Sequence, residues 1–296
     1  MLSFKPIELS DRPILEPILY AQPYRMCDHD FACLYIWGGT YFPRFCIEDG
    51  VLYIEQTISG GRAIYHLPYC ADSRLAGAVE TLSAQCREKG IPLLLTTLNA
   101  QRKETLEQAM PGKFDYIEEP DFADYIYNAQ DLITLHGKKF HAKRNFINRF
   151  IAENEGNYSF EPVCAENAQE ILDFNARWDA ENEAEGIDDE AMAIRRAVTE
   201  LDEIGMFGVA LRLDGKIAAY ALGSRMCTDT VLEQIEKAAD IPGAYQMINN
   251  AFASRFASDC LYINREEDLG IEGLRKAKLS YNPAYLNTRY HAVPKA

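Results

Sequence analysis

The sequence predicts a mixed α/β protein, of the α+β type with a mixed sheet, built from two similar domains in tandem. Three observations indicate this class. The 296 residues are long for one hydrophobic core and comfortable for two domains. Short alternating segments typical of strands are interspersed with longer segments of helical periodicity. The order of these segments in the first half is nearly repeated in the second.

The first half is expected to contain seven strands and four helices. The expected strands cover residues 4–9, 42–47, 51–57, 63–67 and 93–97, with two more near Phe114 and Tyr125. The expected helices begin after Ser10, near His29, at Asp72 and after Asn99. An Asp-Gly pair at residues 49–50 predicts a tight turn between the second and third strands, because this pair readily adopts positive φ angles.

The second half is expected to follow a similar order, with six strands and four helices. The expected strands cover residues 158–163, 207–212, 217–223, 230–236, 261–264 and 286–292. The expected helices cover residues 166–183, 188–204, 242–257 and 271–281. Another Asp-Gly pair, at residues 214–215, predicts the hairpin between the second and third strands, and Asn282-Pro283 ends the last helix.

Equivalent features recur at a steady distance along the chain. Asp49 and Asp214, each in an Asp-Gly turn, are 165 residues apart, and the strands that begin at Leu93 and Leu261 are 168 apart. This spacing predicts a duplicated architecture. The alternative is a chance similarity between the orders of helices and strands in the two halves. We place residues 1–133 in a first domain, and residues 134–296 in a basic connecting helix and a second domain.

The composition predicts a packed interior and an acidic surface, since 48% of the residues are hydrophobic and the formal net charge is −15. Such a chain is expected to bind no DNA and to repel anionic membranes, except through a local basic patch. No apolar run is long enough for a membrane segment and the start has no signal-type apolar region, which predicts a cytoplasmic location. The spacing of the eight cysteines and five histidines predicts neither a disulfide framework nor a metal site.

The segment from Gly137 to Phe150 carries the strongest functional signal, because five cations and no acid occur together in an acidic chain. The candidate substrate-binding residues here are Lys138, Lys139, Lys143, Arg144 and Arg149. A helix with an apolar stripe of Phe140, Ile147 and Ile151 is expected, placed between the domains so that its cations contact phosphates. The alternative is a solvated linker helix whose cations pair with nearby acids.

The order of elements resembles the GNAT fold, a mixed sheet whose fourth and fifth strands splay apart to admit an acyl donor. Three blocks, at residues 28–37, 138–149 and 262–278, resemble the family of the C-terminal domain of phosphatidylglycerol lysyltransferase. The resemblance covers nearly the whole chain. It implies two tandem GNAT-like (acyl-CoA N-acyltransferase) domains, with a basic helix between them that faces the acceptor stem of a tRNA.

Glu233 and Glu236 lie on the strand that enters the loop where GNAT enzymes hold coenzyme A. Because they are three residues apart, a regular strand would point them to opposite faces, with one facing the cleft. That carboxylate is the candidate catalytic base, since a partly dry cleft raises a carboxyl pKa toward the working range. The alternative is that both pair with Lys237 or other surface cations.

The loop offers Gly243 and Ala244 as candidate cofactor-binding residues, where backbone N–H groups at a helix N-terminus would hold a pyrophosphate. It lacks the usual glycine-rich pattern, and Asp240 would repel the phosphates. Acetyl-coenzyme A is therefore the disfavoured donor, aminoacyl-tRNA the favoured one, and no other cofactor is expected. The equivalent loop of the first half, residues 67–72, contains no glycine, which predicts a non-catalytic first domain.

A dense run of charges follows the strand at residues 261–264. The candidate substrate-binding residues in this run are Arg265, Glu266, Glu267, Asp268 and Arg275, with the three acids expected to hold an ammonium group. Resemblance to the lysyltransferase family, in which Gly-Leu-Arg and a following lysine occupy this place, points to Arg275 and Lys278 as contacts for the donor or for an oxyanion. Tyr281 corresponds to the general-acid tyrosine of many GNAT enzymes. For the three acids, the alternative is a charged helix start. For Tyr281, the alternative is an aromatic cap at the end of the helix.

These features predict an acyltransferase. The leading interpretation is transfer of an aminoacyl group from aminoacyl-tRNA to an amine or hydroxyl of a lipid head group or a small molecule. A coenzyme A-dependent N-acetyltransferase is one alternative. A non-catalytic RNA-binding module that retains the fold is the other.

Overall fold

The computed structural model describes residues 1–58, 60–182 and 187–295. Within these residues, twelve strands form one mixed sheet. The strands are β1 (Lys5–Pro6), β2 (Arg44–Glu48), β3 (Val51–Ile58), β4 (Arg62–His66), β5 (Leu95–Leu98), β6 (Phe114–Asn128), β7 (Tyr158–Pro162), β8 (Met206–Leu213), β9 (Lys216–Cys227), β10 (Thr230–Ala238), β11 (Tyr262–Asn264) and β12 (Tyr285–Pro294).

Helices cover both halves of the sheet. They are α1 (Arg12–Tyr20), α2 (Phe31–Ile36), α3 (Gly38–Tyr41), α4 (Asp72–Lys89), α5 (Ala100–Ala109), α6 (Ala129–Thr134), α7 (His141–Glu153), α8 (Ala168–Glu181), α9 (Ile187–Thr199), α10 (Leu201–Ile204), α11 (Ala244–Phe256) and α12 (Glu272–Leu279). Among the described residues, no helix combines the length and the apolar character needed to cross a membrane.

The two halves have the same strand order. In the first, β1 to β4 are antiparallel neighbours and β5 joins β4 in parallel. In the second, β7 to β10 are antiparallel neighbours and β11 joins β10 in parallel. Both Asp-Gly turns lie where the sequence predicts them, between β2 and β3 and between β8 and β9. The predicted class, a mixed α/β fold with a mixed sheet, is confirmed.

The halves exchange their last strands. The first part of β6 and the second part of β12 pair beside β5, whereas the second part of β6 and the first part of β12 complete the sheet beside β11. Each half therefore uses a strand of the other to complete its own sheet. The junction between the halves is a continuous backbone ladder in which no sheet edge is exposed.

Two element predictions are wrong. The strands expected near Phe114 and Tyr125 are one strand of 15 residues, β6, because its two parts pair with different halves. The helix expected at residues 188–204 is divided into α9 and α10. The expected end of the preceding helix, residue 183, lies outside the described residues.

The basic segment packs through Phe140 and Ile147 of its predicted stripe, but through Phe150 in place of Ile151. Phe140 and Phe150 are fully buried, whereas Ile151 is 38% exposed. A 3-10 turn over Lys138–Phe140 precedes α7, so the helical phase begins later than the sequence pattern suggests. Phe150 joins the apolar core between α11 and the sheet, and α7 is thereby fixed against the second half.

Gly223 on β9 provides a test of this packing, because it lies opposite Glu233 of β10. A methyl group at Gly223 would collide with the Leu232 carbonyl and lie 2.5 Å from the Phe252 ring. We predict that Gly223→Ala lowers the free energy of unfolding by about 3 kcal/mol. Gly77→Ala, where α4 leaves open space, should raise it by about 0.5–1 kcal/mol. Urea titration of both variants measures this contrast, and equal effects would contradict the packing.

Candidate active site

The site lies where β10 and β11 separate. These parallel strands pair over three residues, from Thr230 with Tyr262 to Leu232 with Asn264, and then diverge. Arg265 follows β11 directly and spans the gap. Its Nε lies 3.0 Å from the Glu233 carboxylate and its Nη2 lies 2.7 Å from that of Glu236. The divergence that typically admits an acyl donor is thus bridged by one guanidinium group.

Glu233 and Glu236 point to the same side of the sheet, which corrects the expectation of opposite faces. The register of β10 against β9 shifts between Glu233 and Ile235, so an irregular residue separates the two acids. The Asn249 amide on α11 donates to both, at 3.1 Å to Glu233 and 3.0 Å to Glu236. Both carboxylates therefore face the gap, and neither pairs with Lys237, which binds Glu190.

The pKa of Glu233 is shifted by its surroundings. Burial raises this pKa well above its ordinary value, and the nearby charge of Glu236 adds to the shift despite the opposing effect of Arg265. The side chain of Glu233 is 2% exposed. The burial and the neighbouring carboxylate both favour the protonated form of Glu233.

The basic helix reaches this site through Lys143. The Lys143 Nζ lies 3.7 Å from the centre of the Tyr281 ring and donates to the Ser280 Oγ at 2.6 Å. The Arg265 guanidinium lies 5.0 Å from the centre of the same ring. Burial lowers the pKa of Lys143 to about 8, and the positive charge of Arg265 contributes. An amine with this pKa exchanges protons near neutral pH.

Three buried polar atoms of this region lack a hydrogen-bond partner among the described residues. They are the Tyr281 hydroxyl, the Asn249 Oδ1 and the Arg265 Nη1. Such atoms are uncommon in folded proteins, and they occur where a ligand completes the network. We call Glu233, Glu236, Asn249, Arg265 and Tyr281 the Arg265 cluster.

Lys278 lies beneath the loop after β11 and is 8% exposed. Its ammonium group donates to the carbonyl oxygens of Arg265, at 2.6 Å, and Glu267. Burial lowers the pKa of Lys278, although the charge of Glu267 opposes the shift. Two of its three protons hold the loop that carries Arg265, which leaves one N–H for a ligand.

Asp268 and Arg275 bind each other rather than an open substrate pocket. The Arg275 guanidinium donates to both Asp268 oxygens, at 2.8 and 2.7 Å, and to Asp121 at 2.6 Å. The buried Asp268 also accepts from the Tyr125 hydroxyl and from the Gly270 N–H. The expectation that Asp268 holds a substrate ammonium is wrong, since its acceptor positions are already filled.

Glu266 and Glu267, also expected to hold an ammonium group, diverge from Asp268. Glu266 points to the Cys33 thiol at 3.9 Å, and Glu267 points to the Cys27 thiol at 3.5 Å. Glu266 has a positive φ angle of 53°, which turns the chain sharply between the two carboxylates. Glu266 and Glu267 therefore lie beside the two thiols, separate from the environment of Asp268.

Gly243 and Ala244, the expected cofactor-binding residues, are buried at the start of α11. A methyl group on Gly243 would lie 2.5 Å from the Phe146 carbonyl oxygen and 2.9 Å from the Phe150 Cβ. Ala244 is 0% exposed. Helix α7 therefore covers the place where a pyrophosphate would bind, and these two residues do not form an open phosphate site.

The other cations of the basic segment divide into two groups. Arg144 donates to the carbonyl oxygens of Leu135 and Gly137, so it caps the end of α6. Lys138, Lys139 and Arg149 are exposed, with Lys139 paired to Asp131 at 2.8 Å and Arg149 to Glu153 at 2.7 Å. The exposed group is the part of the segment that can meet a polyanion.

The corresponding gap in the first half is filled. Beyond the parallel pairing of β4 and β5, the buried Arg102 guanidinium donates to the carbonyl oxygens of Leu67 at 2.6 Å and Pro68 at 3.2 Å. The rings of Tyr24 and Tyr69 lie 4.9 and 5.1 Å from it. No carboxylate bridges this gap within the described part of the chain, and Arg102 satisfies backbone groups rather than an ion pair.

Asn249 is the residue of the Arg265 cluster that sequence reasoning missed. It occupies the buried face of α11, between the apolar Ile248 and Phe252, where an amide side chain is unusual. A buried polar residue within an apolar helical face was therefore the available signal.

The fold, with its two GNAT-like halves, is of the acyltransferase type. FemX shares this fold, with a TM-score of 0.61 over 98% of this chain and 97% of that chain at 8% identity. L-PGS from Bacillus licheniformis shares it with a TM-score of 0.64 over 96% of this chain and 91% of that chain at 16% identity. At these identities, the likeness shows the fold alone.

The chain belongs to the family "Phosphatidylglycerol lysyltransferase, C-terminal", whose model matches residues 22–293. A conserved protein of unknown function from Bacteroides thetaiotaomicron is 36% identical, with a TM-score of 0.95 and 100% of both chains covered. An uncharacterised protein of Mycoplasmoides gallisepticum is 24% identical over 173 residues. That match covers 56% of this chain and 54% of the relative, so the matched region is about half of each protein.

The proton assignment in the Arg265 cluster gives a matched test of stability. Glu236→Gln removes the charge that neutralises buried Arg265, and we predict a loss of about 3–5 kcal/mol in the free energy of unfolding. Glu233→Gln should change stability less, because the raised pKa of Glu233 favours its neutral form, which Gln resembles in shape. Chemical denaturation of both variants measures the difference. A larger loss for Glu233→Gln would reverse the assignment.

Proposed function

We propose that the chain transfers an aminoacyl group from aminoacyl-tRNA to an amine or hydroxyl acceptor at the Arg265 cluster. The observation that carries this proposal is the contact of Lys143 with Ser280 and Tyr281, which joins the basic helix to the cluster. A donor whose phosphates lie along the exposed cations of α7 would have its ester end beside the gap between β10 and β11.

Lys143 is the proposed general base. The reaction requires removal of a proton from the attacking amine or hydroxyl, and a base with a pKa of about 8 accepts it near neutral pH. Glu236 suits this role less well than the sequence suggested, because Arg265 and Asn249 both already donate to it. Glu236 instead positions Arg265.

Two donors are placed to stabilise the oxyanion that forms when the acceptor attacks the ester carbonyl. The Arg265 Nη1 is buried and unpaired within the described residues, and Lys278 has one N–H not used by the loop. Fixed positive groups in a dry site stabilise developing negative charge without reorganisation. The Tyr281 hydroxyl then donates a proton to the departing ribose oxygen, as its burial raises its pKa and keeps it protonated.

Coenzyme A is disfavoured as donor by the same structure. The buried Gly243 and Ala244 leave no room for a pyrophosphate at the start of α11, because the Phe146 carbonyl of α7 packs there. The acceptor is named here by its chemistry, as an amine or hydroxyl of a small molecule or a lipid head group.

Catalysis is tested by following deacylation of charged tRNA with pooled amine and alcohol acceptors by mass spectrometry. The rate should rise with pH through about 8, because Lys143 is active when neutral. Lys143→Met should lower the rate by about 10²–10⁴-fold and remove this pH dependence. Tyr281→Phe should slow transfer but leave stability unchanged, since the hydroxyl has no partner among the described residues.

Two results would contradict this assignment. Binding of tRNA without turnover would indicate an RNA-binding module, and transfer from acetyl-coenzyme A at a higher rate would indicate an acetyltransferase. A pH profile that is the same in Lys143→Met and in the natural protein would remove Lys143 as the base.

Donor binding is tested by the salt dependence of tRNA affinity. Lys138→Ala and Arg149→Ala should each reduce the slope of log affinity against log salt by about 0.7–0.9, because each removes one phosphate contact. Lys216→Ala, in the exposed turn between β8 and β9, is the matched control and should leave the slope unchanged. If the three variants behave alike, the basic helix is not the tRNA surface.

A further inference from the structure

A second group of reactive side chains lies on the other side of Lys278, away from the Arg265 cluster. Cys27 precedes α2, Cys33 lies within α2, Asp124 lies on β6, and Glu266 and Glu267 follow β11. We call these five residues the thiol–carboxylate cluster. It joins elements of both halves at the exchanged strand, and the proposed transfer reaction makes no use of it.

The ligand-type atoms of this cluster form two groups of three that share the Cys27 thiol. Those of Cys27, Cys33 and Glu266 all lie within 4.8 Å of one another, and so do those of Cys27, Asp124 and Glu267. Cys33 to Glu266 is 3.9 Å and Cys27 to Glu267 is 3.5 Å. Zinc bonds of about 2.3 Å to sulfur and 2.1 Å to oxygen give a tetrahedral sulfur–oxygen edge of about 3.6 Å. One observed sulfur–oxygen distance is slightly longer than this value and the other is slightly shorter.

Asp124 provides an independent indication of a ligand. It is 0% exposed, and its Oδ1 accepts from the Asn264 amide at 3.0 Å and from the Cys27 N–H at 3.3 Å. Its Oδ2 has no partner among the described residues, and one of its two oxygens lies within 4.8 Å of the Cys27 thiol. A buried carboxylate oxygen without a donor is costly, and a cation would satisfy it.

We propose that Cys27, Cys33 and Glu266 bind one thiophilic divalent cation of the Zn²⁺ class, with Asp124 or Glu267, which meet the same Cys27 thiol, closing onto it as the fourth ligand. Two sulfur and two oxygen ligands suit zinc, which accepts cysteine and carboxylate in tetrahedral sites. Binding releases the thiol protons and leaves two thiolates. Glu267 lies beside Cys27 and can replace Asp124 in the fourth position.

The charges around the cluster fit a cation. The three carboxylates of the cluster lie close to a fourth, that of Asp28. Two cations, Arg289 and Lys278, lie near these four carboxylates. The Arg289 guanidinium lies 3.6 Å from the Cys27 Sγ, and its charge is neutralised by Asp28 at 2.5 Å. Lys278 is held by two carbonyl oxygens. The ion would tie α2 of the first half to the loop after β11 of the second, a structural role that does not depend on the proposed function.

The test is the metal content and metal affinity of the full chain. After treatment with chelator and reloading, inductively coupled plasma mass spectrometry should find about one Zn²⁺ per chain. Co²⁺ in its place should show the near-ultraviolet absorption of thiolate-to-cobalt charge transfer, which carboxylates alone do not produce. Zn²⁺ should also raise the thermal midpoint, because it binds the folded chain.

The variants compare cysteines inside and outside the cluster. Cys33→Ser should weaken Zn²⁺ binding by about tenfold or more and remove the charge-transfer band, whereas Cys86→Ser, in the buried core of α4, should keep both. If Cys33→Ser does not fold, Glu266→Gln replaces it in the same measurement, because Gln is close to Glu in shape. This variant should also bind Zn²⁺ more weakly. The proposal is overturned if the natural protein binds neither ion at micromolar concentration. It is also overturned if Cys33→Ser and Glu266→Gln bind as tightly as the natural protein, or if a metal-free Cys27–Cys33 disulfide is recovered.

Discussion

The exchange of β6 and β12 between the halves is the constraint on which the rest of the structure depends. Each half-sheet is completed by a strand from the other, so neither can close alone. The exchange carries Asp124 to the end of β11, where Asn264 donates to it at 3.0 Å. It also places β12 beside β6, so that Asn287 donates to the Tyr24 carbonyl at 2.8 Å. The thiol–carboxylate cluster is built from both halves beside this ladder, whereas the Arg265 cluster lies within the second half, next to β11, which pairs with β6.

The second feature of the molecule is the burial of charged side chains. Most of the chain is acidic, yet Arg265, Lys143 and Lys278 converge near the gap between β10 and β11. Each of the three is balanced differently: Arg265 by a carboxylate, Lys143 by an aromatic ring and a hydroxyl, and Lys278 by carbonyl oxygens. Buried charges that are compensated in this way remain costly to disturb. Arg265 and Lys278 also keep N–H groups that have no partner among the described residues. In the proposed reaction, these groups would stabilise the negative charge that develops on the oxyanion.

Much of the fold was predictable because its signals are local. The Asp-Gly turns, the strand β10 and the helix ended by Gly90 follow from residue alternation and turn chemistry. The prediction failed where pairing overrides the local pattern. Glu233 and Glu236 share a face because β10 is irregular against β9, and Phe150 is buried instead of Ile151 because a short turn sets the phase of α7. The site roles of Lys143, Lys278 and Tyr281 remain predictions.

The sequence by itself determined the mixed α/β class, the repeated strand order, the family resemblance and the concentration of cations at residues 138–149. These properties depend on residue types at short separations, which set periodicity, turns and local charge. Tertiary structure alone decided which acids share the Arg265 cluster, that α7 covers Gly243, and that Cys27 and Cys33 meet Glu266. The physical reason is that these contacts join residues far apart in the chain, whose meeting is set by strand exchange and helix packing rather than by any local pattern.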